Sequence, residues 1–194
     1  IIPPFKNFST ASALFKTLFM HNDPDKVLVF DDLDTLLQDP VCTRMLKGAL
    51  DSGENTEVAY ISKNNVEPIL YDVLTEKKQL TAEVINQLEK LKISTSIFET
   101  EHGQHSKAYN QMKQRALNPD LPNAIFPNKF DFIGRVIFIS NFYLDQIPGS
   151  IVSRNAFIEV NLTLEQIIKR IEKALPDIEI NGIKYDMKIK KEAM

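Results

Sequence analysis

The sequence predicts an α/β fold with a largely parallel sheet. Two apolar runs, KVLVF at 26–30 and GRVIFISN at 134–141, lack the alternation of a half-exposed strand, as is typical of strands covered on both faces. Segments with helical apolar spacing alternate with these runs along the chain. Alternating strands and helices favour a parallel sheet with helices packed against it.

Four elements are predicted in the first third of the chain. A helix over 9–22 follows from apolar residues at helical spacing, with Ser9 or Thr10 as its N-cap. The buried strand at 26–30 comes next. An Asp cap and a proline near N1 predict a helix over 39–52, and alternation predicts an exposed strand over 56–62.

The later elements are less evenly spaced. Amphipathic patterns predict helices over 81–94 and 106–118. The apolar strand at 134–141 is followed by a third strand at 156–162. A strong apolar stripe predicts a helix over 163–176, whose start is capped by Thr163 with Glu165 or Gln166.

Composition indicates an ordinary globular domain. The 194 residues are 43% hydrophobic and 25% charged, and the net charge of -3 gives no global attraction to nucleic acid or an anionic membrane. The single cysteine, Cys42, is expected to be a buried apolar residue. No apolar run is long enough to span a membrane and no signal peptide is evident, so we expect a cytoplasmic protein without membrane contact.

Two adjacent acids, Asp31 and Asp32, directly follow the apolar run at 26–30. Ligands of open parallel sheets bind outside the carboxyl ends of the strands, so both side chains are expected at a binding crevice. A nearby cation would compensate their repulsion, and Mg²⁺ prefers such oxygen ligands. The alternative is that the pair caps the following turn, with Asp34 forming an Asx turn.

Three spaced motifs together resemble the AAA+ ATPases. KVLVFDD is similar to the Walker B strand of that family, GRVIFISN to its sensor 1 strand, and LDQIPGSIVSRNAFIEVNL to the segment that delivers an arginine finger. The resemblance implies that Asp31 binds Mg²⁺, Asp32 polarises the attacking water and Asn141 contacts that water and the terminal phosphate of ATP. It also implies that Arg154 completes the site of a neighbouring subunit.

Each of these residues also has a simpler interpretation. Asn141 could cap the turn after its strand, and Arg154 could be a solvated surface charge. Arg44 is a further candidate for intersubunit contact, although a solvated helix face is the simpler role. His21, His102 and His105 show no metal-ligand spacing, and they are assigned no role.

The chain departs from the family in the absence of a phosphate-binding loop, G-x-x-x-x-G-K-[ST]. Either the chain is a piece of a longer protein whose N-terminal strand, loop and helix precede it, or it no longer binds nucleotide. We favour the first, which makes the sheet incomplete at its N-terminal side. In addition, Asp32 stands where the family usually has a glutamate, so hydrolysis is expected to be slow.

The resemblance implies a three-layer αβα core of the P-loop NTPase type over 1–162 and the start of a helical lid over 163–194. The core contains an insertion at 64–128, which we expect to form a lid or partner-binding feature. Within it and just after it, Phe126, Phe130 and Phe132 could stack on nucleic acid, but core packing is favoured.

The resemblance therefore implies an ATPase that acts in a homo-oligomeric ring on a macromolecule, either protein or nucleic acid, with ATP and Mg²⁺ as cofactors. A phage or bacterial origin is expected from the compact, insertion-bearing chain. One alternative is a non-catalytic AAA-like module that binds a partner. Another is a magnesium-dependent receiver-like domain, but the acid and lysine it needs at later strand ends are not found at ISN or IEV.

Overall fold

The computed structural model describes residues 5–6, 10–31, 34–51, 56–98, 100–101, 104–158, 160–174, 179–180 and 183–184. The chain divides into two compact units, Ile1–Asn155 and Ala156–Met194. The fold is mixed α/β. None of the helices in these ranges has the length and hydropathy needed to span a bilayer.

The first unit contains helices and short strands. Its helices are α1 (Ala11–Met20), α2 (Asp34–Gln38), α3 (Pro40–Ala49), α4 (Pro68–Leu74), α5 (Ala82–Lys90), α6 (Lys107–Leu117) and α7 (Gly149–Val152), with 3-10 turns at Thr95–Phe98 and Leu144–Gln146. Its strands are β1 (Phe5–Lys6), β2 (Val27–Asp31), β3 (Glu57–Ala59), β4 (Asn65–Val66), β5 (Thr100–Glu101), β6 (Gln104–His105), β7 (Phe126–Pro127), β8 (Lys129–Asp131) and β9 (Arg135–Ile139).

A three-stranded parallel sheet organises this unit, in the order β1-β2-β9. The register pairs Val27 with Arg135 and Asp31 with Ile139, so β2 and β9 are aligned over their full length. The expectation of parallel strands is thereby confirmed for these two apolar runs, and their direct pairing is a finding of the structure. Because the strands are parallel, their carboxyl ends lie at the same edge of the sheet.

Local capping explains where the helices start. The Thr10 hydroxyl accepts a hydrogen bond from the N–H of Ala13 at 3.2 Å and begins α1. The Asp39 carboxylate accepts from the N–H of Val41 at 2.7 Å, and Pro40 occupies the first position of α3. Both caps confirm the sequence prediction.

The main hydrophobic core covers one face of the sheet. Leu28 and Phe30 of β2 are 0% exposed, and helices α1 and α3 supply much of the surrounding apolar surface. The opposite face is more exposed to solvent, since the β9 residues Ile137 and Ile139 are 51% and 49% exposed. The expectation of strands buried on both faces is therefore wrong for β9, whose second face is exposed, while the second face of β2 is half-buried.

Residues 65–126 form a helical cluster with a core of its own. Leu74 and Leu88 are fully buried there, among side chains from α4, α5, α6 and the 3-10 turn at Thr95–Phe98. Two small pairings accompany the cluster, of β4 with β7 in parallel and of β3 with β8 antiparallel. The described residues of 64–128, where the resemblance implies an insertion, are therefore packed, and the role of this segment as a lid or partner-binding feature stays a prediction.

Phe19 of α1 packs against both hydrophobic cores. The centroid of its ring lies 5.5 Å from the ring centroid of Tyr71, 5.8 Å from that of Phe126 and 5.2 Å from that of Phe130, each in an edge-to-face arrangement. Phe126 and Phe132 are buried as well. Core packing, which the sequence favoured over stacking on nucleic acid, is confirmed for these phenylalanines.

The second unit contains α8 (Leu164–Ala174) and a small antiparallel pair, β10 (Glu179–Ile180) and β11 (Ile183–Lys184). Thr163 and Gln166 cap α8 reciprocally, since each side-chain oxygen accepts the other's backbone N–H. The predicted strand at 156–162 is wrong, because its described residues have no regular secondary structure. A run with strand propensity becomes a strand only where its backbone pairs with a neighbour.

Candidate functional site

The carboxyl edge of the sheet brings two of the predicted site residues together. Asp31 ends β2 and is paired in register with Ile139, the last residue of β9. Asn141 follows Ile139 by two residues and is exposed. The loops after the two strands therefore start side by side, as the combination of motifs predicts. Asp32 lies outside the described residues.

Asp31 faces the more open side of the sheet. Strand alternation places it on the same face as Val29, opposite to Phe30, and directly opposite residues of parallel strands share a face, so Ile139 lies there too. Asp31 is half-buried, whereas Phe30 is packed in the core. The carboxylate at this edge is therefore not enclosed by the main apolar core.

A side-chain hydrogen bond ties the two loops together beyond the strand ends. The Ser140 hydroxyl donates to Oδ1 of Asp34 at 2.6 Å, and its oxygen accepts the N–H of Phe142 at 3.0 Å. Both residues are half-buried. The predicted Asx turn at Asp34 is not what the structure has, because Asp34 is the first residue of α2 and its carboxylate is bonded to the neighbouring loop.

Arg154 lies elsewhere in the first unit, just beyond α7. Its Nη1 donates to the carbonyl oxygen of Ser150 at 2.8 Å, and its Nη2 lies 3.7 Å from Oδ2 of Asp51. The guanidinium side chain is 33% exposed in this ion pair. Since Asp51 follows the end of α3, the contacts of Arg154 are made away from Asp34 and Ser140.

One described side chain, the Asp31 carboxylate, has the chemistry of a metal ligand. Within the described ranges no three His, Cys, Asp or Glu side chains cluster. Mg²⁺ in nucleotide sites commonly uses one or two carboxylates together with phosphate oxygens and water. Asp31, a hard oxygen donor at the strand edge and half-buried on the open face, fits such a ligand set.

The other polar candidates have structural explanations. Burial raises the pKa of the Cys42 thiol to about 12, with a further contribution from the adjacent Asp39 carboxylate, so this thiol is not a nucleophile. Burial, together with the nearby charge of Lys26, lowers the pKa of His21. Arg44 is exposed on α3, as expected of a solvated helix face.

A shallow depression of about 430 Å³ lies on the helical cluster, away from the strand edge. Its lining comes from the start of α4 and the end of α5 and comprises Glu67, Pro68, Ile69, Gln87, Lys90 and Leu91. None of the predicted site residues contributes to it. The chemistry of the strand edge, and not the size of this depression, selects the candidate site.

Comparison with known proteins leaves the family open. No protein-family model matches the chain, and no curated protein and no solved structure matches it either. The function is therefore inferred from the residues and geometry of the chain itself.

Sequence reasoning missed the contribution of Ser140 and the true role of Asp34. The two residues are 106 positions apart, and no local sequence pattern predicts a contact between them. The available signal was indirect, because both are small polar residues within three positions of the end of an apolar strand. Parallel pairing of those strands would place them near each other.

Proposed function

We propose that the chain is part of an AAA+ type ATPase that binds and hydrolyses ATP in a ring-shaped oligomer and remodels or moves a macromolecule. The observation that supports this most is the in-register parallel pairing of β2 with β9. It brings the residues that resemble Walker B and sensor 1 to one edge of one sheet, in the order and on the strands that the resemblance requires.

In this proposal the strand edge binds the triphosphate. Asp31 holds Mg²⁺, which when bound would neutralise phosphate charge. Asp32 accepts a hydrogen bond from the attacking water and orients it, while the Asn141 amide contacts the same water and the terminal phosphate. Because Asp32 is one methylene shorter than glutamate, it reaches the water less well, and turnover is slow.

Arg154 acts in trans in the proposed ring. Its planar, permanently charged guanidinium suits the charge that develops on a transferred phosphoryl group. Its present partner Asp51 is half-exposed, so this ion pair is weak and can be exchanged for a phosphate on another subunit. A three-layer αβα core and a C-terminal lid belong to the same proposal.

The open side of β9 is compatible with a missing phosphate-binding element. Among the described residues β9 pairs only with β2, and Ile137 and Ile139 are exposed beside its free edge. A further strand and helix, carrying the G-x-x-x-x-G-K-[ST] loop that the 194 residues lack, would bury this apolar surface. Such an element would have to come from outside the sequence described here.

A second candidate is a non-catalytic AAA-like module that binds a partner. The specific observation in its favour is that no phosphate-binding loop occurs in the sequence. In such a module the sheet and the helical cluster would persist as a scaffold, and Asp31 and Asn141 would have no ligand. The two candidates differ in one property, which is whether the complete protein hydrolyses ATP.

The test is ATP hydrolysis by the complete protein, including any segment that precedes Ile1. Asp32→Asn should leave binding of a fluorescent ATP analogue intact while reducing turnover strongly. Arg154→Ala should inactivate a ring that regains activity on mixing with Asp32→Asn subunits, since each partner supplies what the other lacks. Turnover that is unaffected by Asp32→Asn would remove the proposed mechanism, and absence of ATP binding would favour the non-catalytic module.

A further inference from the structure

We infer that Ser140 and Asp34 are positioning residues of this site, which hold the loop of Asn141 and the start of α2 in one fixed relation. The inference rests on the proposed function. It concerns two residues that contact neither metal nor phosphate in that proposal and that act through their neighbours.

The Ser140 hydroxyl donates one hydrogen bond and accepts another. It donates to Oδ1 of Asp34, and at 2.6 Å the bond has the length typical of a hydroxyl bonded to a carboxylate. It also accepts the backbone N–H of Phe142 at 3.0 Å. The Ser140 hydroxyl thus connects the loop after β9 to the first turn of α2, the helix that follows β2.

These bonds lie next in sequence to the two residues proposed to contact the attacking water. Asn141 lies between Ser140 and Phe142, so the turn closed by the Ser140 oxygen fixes the direction of the Asn141 backbone. Asp32 precedes Asp34 by two residues and follows Asp31, whose strand is paired to β9. The described residues on either side of Asp32 are therefore both joined to the β9 side, Asp31 by strand pairing and Asp34 by the Ser140 hydrogen bond.

Precise placement matters for water activation. A displacement of about 1 Å in a catalytic group can cost roughly a hundredfold in rate. Removing the Ser140 hydroxyl frees the Asn141 loop to move relative to the first turn of α2, while every proposed ligand of ATP and Mg²⁺ remains. Loss of this hydroxyl should consequently lower kcat more than it weakens nucleotide binding.

Ser62 offers a matched control outside the site. Its hydroxyl donates to Oδ1 of Asn65, and its oxygen accepts the N–H of Asn64 at 3.3 Å, two residues on. This is the same bonding pattern as at Ser140, placed at the edge of the helical cluster. Ser62→Ala removes a comparable brace without touching the strand edge.

The experiment compares Ser140→Ala, Ser140→Thr, Asp34→Ala and Ser62→Ala in the complete protein. Ser140→Ala and Asp34→Ala should each reduce kcat by roughly tenfold to a hundredfold, with the dissociation constant of a fluorescent ATP analogue nearly unchanged. Ser140→Thr, which keeps a hydroxyl, should restore most of the turnover. Ser62→Ala should alter kcat little, even where it lowers the unfolding midpoint as much as Ser140→Ala does.

The outcomes separate the inference from the proposed function. If the wild type hydrolyses ATP and Asp32→Asn abolishes turnover, but Ser140→Ala behaves like Ser62→Ala, the positioning role is wrong and the ATPase proposal stands. If the wild type does not hydrolyse ATP, both fall. Amide hydrogen exchange gives a readout independent of activity, since Phe142 should exchange faster in Ser140→Ala and not in Ser62→Ala. Unchanged exchange at Phe142 would also overturn the inference.

Discussion

Replacing Gly48 with alanine tests the packing of α3 against β3. Gly48 lies near the end of α3, where alanine would ordinarily strengthen a helix by about 1 kcal/mol. A Cβ at this position, however, would lie 3.0 Å from the carbonyl carbon of Glu57 and closer still to its oxygen. Both obstructing atoms belong to the backbone of β3, so no side-chain rotation can relieve the overlap.

The net effect follows from these two opposing contributions. Overpacking of a well-packed site costs about 1–3 kcal/mol, and a clash with backbone belongs at the upper end of that range. After subtracting the gain in helix propensity, we expect Gly48→Ala to lower the free energy of unfolding by about 2 kcal/mol. With a urea dependence of about 2 kcal/mol per molar, the midpoint should fall by about 1 M.

Urea unfolding followed by circular dichroism measures this shift, and Gly149→Ala is the matched control. A Cβ at Gly149, also in a helix, meets nothing within 4 Å, so its midpoint should stay unchanged or rise slightly. A Gly48→Ala midpoint equal to or above that of the wild type would refute the close approach of α3 to β3. An equal loss in both variants would show that helix propensity or the unfolded state, and not packing, decides the effect.

Two further predictions concern side chains outside the site. The Cys42 thiol, which is buried and has its pKa raised to about 12, should react with a thiol reagent at mildly alkaline pH only after unfolding, and prompt labelling of the native protein would contradict its burial. The hydrogen bond from Lys113 lowers the pKa of Glu76. The pair therefore stabilises the folded state fully at pH values above the ordinary carboxyl pKa of 4.5, and this stabilisation is lost as the pH falls through the lowered pKa. Lys113→Met should therefore have a lower urea midpoint than the wild type at neutral pH, and the difference should shrink in acid; a gap that persists there would indicate lost packing instead.

Local features of this fold could be predicted from the sequence because their causes are local. The caps at Thr10, Asp39 and Thr163 each depend on residues within three positions, and all are found where the pattern placed them. In these cases the sequence carries the interaction within one segment.

Features that depend on distant segments could not be predicted in the same way. The Ser140–Asp34 bond and the antiparallel pairing of β3 with β8 join residues far apart in sequence, so no local periodicity encodes them. Helix α4 starts at Pro68 without a side-chain cap and was overlooked. The run at 156–162 has strand composition but lacks strand structure, which shows that propensity without a pairing partner is insufficient.

The shared packing of Phe19 has a consequence for how the first unit responds to stress. Because one aromatic ring belongs to the interior of both the sheet region and the helical cluster, neither interior can melt without exposing part of the other. The two should unfold as a single cooperative transition, and a rigid swing of the cluster would first have to break the ring contact between Phe19 and Tyr71. A truncation of Phe19 is thus the simplest way to uncouple the two regions and make the cluster an independently melting body.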